Sequence, residues 1–106
     1  MNVEKDKILY KYISELRSHF KDRLKNILLF GSRARGEGSA ESDYDCILLF
    51  EKYSLEDEKI VSDIENSILL DDFILFSSFA ITLEQFEKRK YEPFIMNAKK
   101  EGIYLK

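Results

Sequence analysis

Apolar and polar positions follow a helical period in three parts of the chain. From about residue 4 to residue 22, apolar side chains recur at steps of three and four, which predicts a helix packed on one face. A second such stretch begins at Ser54, where an acidic residue three positions later completes a candidate capping box, and ends near Leu69. Pro93 is suited to the first turn of another helix, and Gly102 to the position after its end.

Short apolar runs without that period predict strands. Residues 26–30 and 44–50 are too short for helices, and residues 73–81 are rich in apolar and aromatic side chains. Residues 103–105 predict a last edge strand, and Thr82 begins another candidate capping box between these two runs. On a chain this short, the order αβ(turn)βαβααβ predicts an α/β or α+β fold in which a small mixed sheet is flanked by helices.

Composition narrows the class of protein. A chain of 106 residues can bury a real core, so we expect one domain over residues 1–106. The net charge of −3, with 17 basic and 20 acidic residues, argues against a general nucleic-acid binder. No apolar run has the length of a membrane span and the N-terminus lacks the apolar core of a signal peptide, so a cytoplasmic protein is expected. The single cysteine, Cys46, excludes an internal disulfide, and the single histidine, His19, argues against zinc.

The polar residues that point most directly to chemistry lie in the segment GSRARGEGSAESDYD, which joins two predicted strands. Gly31 permits a close approach of a ligand to the backbone, and Ser32 adds a hydroxyl beside N–H groups that can hold phosphate oxygens. Arg33 and Arg35 can add positive charge. The first half of the segment therefore predicts a phosphate-binding turn.

Asp43 and Asp45 open the strand that follows. Because side chains alternate along a strand, both project to one face, roughly 6.5–7 Å apart, and can share one ion. Mg²⁺ takes a few carboxylates and fills its other positions with water and substrate phosphates, which suits an open strand end. An Asp-x-Asp alone is more often a solvated turn. Beside a phosphate-binding turn, however, the mutual repulsion of the two carboxylates favours a cation between them.

Gly31-Ser32, ten intervening residues and then Asp43-Tyr44-Asp45 resemble the signature of the DNA polymerase β-like nucleotidyltransferases. The length is similar to that of their minimal, single-domain branch, and the similarity extends over nearly the whole chain. The resemblance implies the nucleotidyltransferase fold. It also implies transfer of a nucleotide, with ATP as the expected donor of AMP, to a protein or other hydroxyl acceptor.

The resemblance also implies roles for individual residues. The residues expected to hold the nucleotide are Gly31, Ser32, Arg33, Arg35 and Ser42. Asp43 and Asp45 are expected to bind Mg²⁺ and to act in catalysis. In such a site the protein mainly positions the reactants and neutralises charge.

The chain departs from the family pattern at the third carboxylate, which active members usually carry on the next core strand. Here that strand has no acidic residue: Asp71 and Asp72 precede it, and Ser77 or Ser78 stands in the equivalent place. Either Asp72 completes the catalytic set from the edge of the strand, or the site keeps one good metal position and has lost or weakened the other. A solvated turn is the alternative role for Asp71 and Asp72.

Three functions follow from these observations. The first is a Mg²⁺-dependent minimal nucleotidyltransferase, paired as an antitoxin with a small helical HEPN-type partner, as members of this branch often are. The second is a catalytically weak or inactive nucleotide-binding subunit that acts by forming that complex. The third is an unrelated regulatory or structural domain in which the motif is accidental. A homo-oligomer formed through an edge strand is compatible with each of them.

Overall fold

The computed structural model describes residues 6–36 and 43–105, which form five α-helices and four strands with one short 3₁₀ turn. The elements in chain order are α1 Lys7–Phe20, the 3₁₀ turn Lys21–Arg23, β1 Leu24–Phe30, α2 Gly31–Arg35, β2 Tyr44–Phe50, α3 Leu55–Asp72, β3 Phe76–Thr82, α4 Leu83–Lys88, α5 Pro93–Glu101 and β4 Ile103–Leu105. None of the helices in these ranges is long and apolar enough to cross a membrane.

The four strands form one mixed sheet in the order β3-β2-β1-β4. β1 is antiparallel to β2 and to β4, whereas β2 and β3 are parallel. Because β1 and β2 are antiparallel neighbours, the end of β1 lies beside the start of β2, and Phe30 is paired with Asp45. The predicted small mixed sheet flanked by helices is confirmed, and its topology brings the two ends of the central motif together.

Helices cover both faces of the sheet, and the alternation of side chains along β2 divides the core between them. On one face, Tyr44, Cys46, Leu48 and Phe50 pack with buried residues of α1 and α3. On the other face, Ile47 and Leu49 pack with buried residues of α4 and α5. β2 is therefore buried on both sides, which explains its continuous apolar run.

The start of α3 is held by the capping box that the sequence predicts. The Ser54 hydroxyl accepts a hydrogen bond from the Asp57 N–H, and the Asp57 carboxylate accepts one from the Ser54 N–H. The same carboxylate accepts two hydrogen bonds from the Arg23 guanidinium, at 2.8 and 2.9 Å. These bonds to Arg23 lower the pKa of Asp57 from 3.8 to about 2. Asp57 is only 5% exposed, whereas the Arg23 side chain is partly exposed, so this pair joins the 3₁₀ turn to the start of α3 at the edge of the core.

Replacing Arg23 with alanine is expected to lower the free energy of unfolding by about 2 kcal/mol, because it leaves the buried Asp57 carboxylate without its charged donors. Since folding lowers the pKa of Asp57, the native pair stabilises the protein above pH 3.8, and this contribution is lost as the pH falls towards 2. Chemical denaturation between pH 2 and pH 7 measures both effects.

Lys25→Ala is the matched control, because Lys25 and Glu51 form a more exposed ion pair at 3.9 Å, which typically contributes 0–1 kcal/mol. Equal losses in the two variants, or an Arg23→Ala protein with unchanged acid sensitivity, would contradict the assignment.

Two predicted boundaries are wrong at the end of α3. The helix continues to Asp72 rather than ending near Leu69, and β3 begins at Phe76 rather than at residue 73. In this last turn, Lys11 of α1 pairs with Asp71 and Asp72, at 3.8 and 3.1 Å, and Phe73 caps the helix in a left-handed conformation. The two aspartates therefore lie in the last turn of a helix and not at the start of a strand.

Candidate functional site

The end of β1 brings the backbone into contact with a carboxylate of β2. Gly31 follows β1 and adopts φ +77°, a left-handed conformation that favours glycine. A Cβ atom placed on Gly31 would lie 2.5 Å from Oδ2 of Asp45, which is far inside a normal contact. Glycine is therefore favoured at this position for two reasons: its positive φ angle and the lack of space for a side chain beside the Asp45 carboxylate.

Gly31→Ala is therefore expected to be destabilising and to displace the Asp45 side chain, whereas Gly36→Ala tests the backbone angle alone. Gly36 has a similar φ of +75°, but an added Cβ there meets nothing within 4 Å. The left-handed backbone angle costs roughly 1–2 kcal/mol of stability in either variant. The steric clash with Asp45 adds to this cost in Gly31→Ala only, so Gly31→Ala should lose more stability than Gly36→Ala. Thermal melting of both variants measures the difference, and equal losses would contradict a steric role for Asp45.

Asp45 lies in a row of three residues that crosses the sheet on one face. Phe30 is its partner on β1 and Ser77 is its partner on β3. Residues paired directly across strands project to the same side of a sheet, which for this row is the side covered by α4 and α5. Ser77 is exposed, so the β3 end of the row is open to solvent.

Asp43 stands one residue before β2 and is exposed. The pKa of Asp45 is raised above its ordinary value, first by burial and then by the negative charge of Asp43, while Arg35 partly offsets this rise. The two carboxylates therefore affect each other electrostatically, as the sequence predicts for a pair that can share an ion. Carboxylate oxygens that are accessible at a strand end are ligands that Mg²⁺ accepts, and a cation between them would relieve the repulsion.

Ser32, Arg33 and Arg35 belong to α2, a helix of five residues that ends at Gly36. The Arg33 guanidinium lies over the Tyr44 ring, 4.2 Å from its centre. Nη1 of Arg35 donates a hydrogen bond to Oε2 of Glu101 at 2.9 Å. The structure thus brings Gly31, Ser32, Arg35 and Asp45 to the junction of β1, α2 and β2. The Arg33 guanidinium instead lies over Tyr44, whose ring packs on the opposite face of the sheet with α1 and α3. Ser42 lies outside the described residues.

Glu101 was not predicted from the sequence. It is the last residue of α5, and its Oε1 accepts a hydrogen bond from the Gly31 N–H at 3.3 Å. No motif connects it to Gly31, which is 70 positions away in the chain. Only the packing of α5 against β1 and α2 brings this carboxylate to the turn.

Asp72 is not brought to the pair formed by Asp43 and Asp45. Its carboxylate accepts a hydrogen bond from Nζ of Lys11 on α1, which packs on the face of the sheet opposite to Asp45. Within residues 6–36 and 43–105, no three histidine, cysteine or acidic side chains are grouped so that they could hold a metal ion. The described part of the site offers two aspartates, with Ser77 beside Asp45 on the next strand.

Comparison with known proteins decides the family. A sequence model described as the nucleotidyltransferase domain matches residues 9–105. The chain belongs to the nucleotidyltransferase domain family. This nucleotidyltransferase domain thus extends from α1 through β4, and the resemblance stated from the central motif is confirmed.

A curated relative of this nucleotidyltransferase domain comes from Methanocaldococcus jannaschii and is named "Putative protein adenylyltransferase". The two sequences are 29% identical over 103 residues, which cover 97% of this chain and 99% of the relative. The similarity is therefore not confined to the motif, and the two chains have nearly the same extent.

Three solved structures share the fold of this nucleotidyltransferase domain. A "putative nucleotidyltransferase" from Sulfolobus solfataricus superposes with a TM-score of 0.60 at 20% identity, over 96% of this chain and 79% of its own. A toxin–antitoxin structure solved with AMP-PNP gives a TM-score of 0.58 at 16% identity, over 88% and 68%. A mutant MntA–HpeT toxin–antitoxin structure gives 0.60 at 14% identity, over 98% and 72%. These identities are low, so the likeness establishes the fold alone.

Proposed function

We propose that this nucleotidyltransferase domain binds Mg²⁺-ATP at the junction of β1, α2 and β2 and transfers AMP to a hydroxyl group of a partner protein. The observation that supports the proposal is the close approach of Gly31 to the Asp45 carboxylate, because it puts the first residue of the turn beside the carboxylate that we propose to bind the cation. A triphosphate and its cation must be held together in this way.

Each group at the site has a role in that reaction. The N–H groups and hydroxyl of Gly31 and Ser32 hold phosphate oxygens, and Arg35 neutralises their charge. Asp43 and Asp45 hold Mg²⁺, which supplies charge neutralisation at the phosphate being transferred. The acceptor hydroxyl oxygen would attack the α-phosphate in line with the departing pyrophosphate. The new oxygen–phosphorus bond would form as the bond to the β-phosphate oxygen breaks, and the hydroxyl proton would pass to solvent.

The proposed acceptor is a protein because apolar side chains are exposed close to the site. The Leu75 carbonyl accepts a hydrogen bond from the Tyr44 N–H, which places Leu75 next to the strand end that carries Asp43. Leu75 is 42% exposed, and Leu70 and Phe73 at the end of α3 are 76% and 85% exposed. Exposed apolar groups of this kind are typical of protein interaction sites. Two structures with this fold are toxin–antitoxin complexes, so we propose an antitoxin role. The helical HEPN-type partner is the one that the family resemblance implies.

One observation favours a second function. Ser77 occupies the position beside Asp45 where active relatives are expected to carry a third carboxylate. A site with two aspartates can bind a nucleotide through one cation while transferring it slowly or not at all. The second candidate is therefore a nucleotide-holding subunit whose main task is to form the complex with its partner.

Incubation with ATP labelled at the α-phosphate, Mg²⁺ and the protein encoded by the neighbouring gene distinguishes the two functions. Labelled partner indicates nucleotidyl transfer. An unlabelled partner that still binds in the presence of ATP indicates the nucleotide-holding subunit. Absence of ATP binding under all conditions would overturn both.

A further inference from the structure

Glu101 holds two groups that a bound triphosphate would need. Its Oε1 accepts a hydrogen bond from the Gly31 N–H, and its Oε2 accepts one from the Arg35 guanidinium. We call residues 31–35 the phosphate turn. One carboxylate thus bridges the first and the last residue of this turn.

A carboxylate and a phosphate group compete for the same kinds of donor. Both carry negative oxygens that accept hydrogen bonds from backbone N–H groups and from guanidinium groups. The Arg35 and Glu101 side chains are 40% and 32% exposed, so solutes can reach the pair. Partly exposed ion pairs contribute little to stability, so a ligand of higher charge can displace this one.

We propose that Glu101 competes with the triphosphate for the phosphate turn, so that nucleotide binding requires the Glu101 carboxylate to leave Gly31 and Arg35. The inference rests on the proposed function and adds to it a residue that sets the affinity of the site. Glu101 is not a third metal ligand in the described residues, because it forms no metal-binding group with Asp43 and Asp45.

The charges around Gly31 support displacement rather than joint binding. The Asp45 carboxylate lies against Cα of Gly31, while the Glu101 carboxylate lies at its N–H. Arg35 is bonded to Glu101 and also lowers the pKa of Asp45, so it offsets negative charge on both sides. When Arg35 turns to a phosphate, Glu101 loses its counter-charge and is repelled by the incoming anion.

The release of Glu101 needs no movement of the backbone. Its backbone is fixed where α5 ends, because the Gly102 N–H donates to the Ala98 carbonyl at 2.8 Å. A Cβ at Gly102 would lie 2.6 Å from a methyl carbon of Leu28, so the chain passes closely over β1 at this point. The carboxylate itself is at the end of a flexible side chain and can rotate away.

The test is the dissociation constant of Mg²⁺-ATP, measured by calorimetry for the native protein and for Glu101→Gln. The variant should bind at least about threefold more tightly, which corresponds to roughly 0.6 kcal/mol. Magnesium tripolyphosphate should show the same gain, since the competition concerns phosphates and not the base. Glu92→Gln is the matched control: Glu92 precedes α5 and pairs with Arg89 at 2.8 Å, so this change should leave affinity unchanged.

A companion variant, Arg35→Ala, should bind Mg²⁺-ATP more weakly than the native protein. In the Arg35→Ala background, Glu101→Gln should increase the affinity for Mg²⁺-ATP less than it does in the native background. Unchanged or weaker binding by Glu101→Gln would overturn the inference and would make Glu101 a support for Arg35. Failure of the native protein and of all variants to bind nucleotide would instead overturn the proposed function. Melting curves confirm that each variant is folded.

Discussion

Asp45→Asn is expected to lower the affinity for Mg²⁺-ATP by at least about tenfold and to abolish its dependence on Mg²⁺. The carboxylate is partly buried against Gly31, and asparagine keeps its shape but removes the charge that would hold the cation. Changes to outer partners of a metal ligand typically cost 10–100-fold in metal affinity, so loss of a ligand should cost no less. Asp43→Asn should also lower the affinity for Mg²⁺-ATP. Calorimetry with and without Mg²⁺ measures both effects.

Asp72→Asn is the informative control for this experiment. Asp72 is bonded to Lys11 on the other face of the sheet, so its replacement should lower stability slightly and leave nucleotide affinity unchanged. A loss as large as that of Asp45→Asn would show that Asp72 completes the site after all. Indifference of nucleotide binding to Asp43→Asn and Asp45→Asn would contradict the metal assignment.

Ser77→Asp is expected to raise Mg²⁺ affinity about tenfold and to increase the rate of AMP transfer. Ser77 is paired with Asp45 on the neighbouring strand and is exposed, so an aspartate there adds a third carboxylate to the same face without burying a charge. Three carboxylates can hold Mg²⁺ more tightly than two and can activate the attacking hydroxyl. Metal titration and the labelled-ATP assay measure the two gains.

Thr82→Asp is the matched control, because it adds a carboxylate to the same strand without approaching Asp45. Thr82 lies at the far end of β3 and caps α4, and aspartate is as good a cap as threonine. A gain in metal affinity from Ser77→Asp alone would indicate that the number of carboxylates limits metal binding at this site. Equal Mg²⁺ affinities and transfer rates in the two variants would indicate that the third carboxylate does not limit metal binding or transfer.

The local patterns of the sequence were sufficient for most of the fold. The helical stripes, the capping box at Ser54, the N-cap at Thr82 and the short apolar runs depend on neighbours within a few positions, so they can be recognised without tertiary contacts. The end of α3 was misplaced for the opposite reason. Asp71 and Asp72 lie in the last turn of α3 and pair with Lys11, which is about 60 positions away in the chain, so no local pattern shows this contact.

The sequence by itself determined the family and indicated that residues 31–35 lie close to Asp43 and Asp45, because these residues belong to one segment between two adjacent strands. Three features are visible only in the tertiary structure. Ser77 is paired with Asp45 on the neighbouring strand, Asp72 accepts a hydrogen bond from Lys11, and Glu101 accepts a hydrogen bond from the Gly31 N–H. The strand register and the packing of α5 bring together residues that are far apart in the chain. No local pattern encodes such distances.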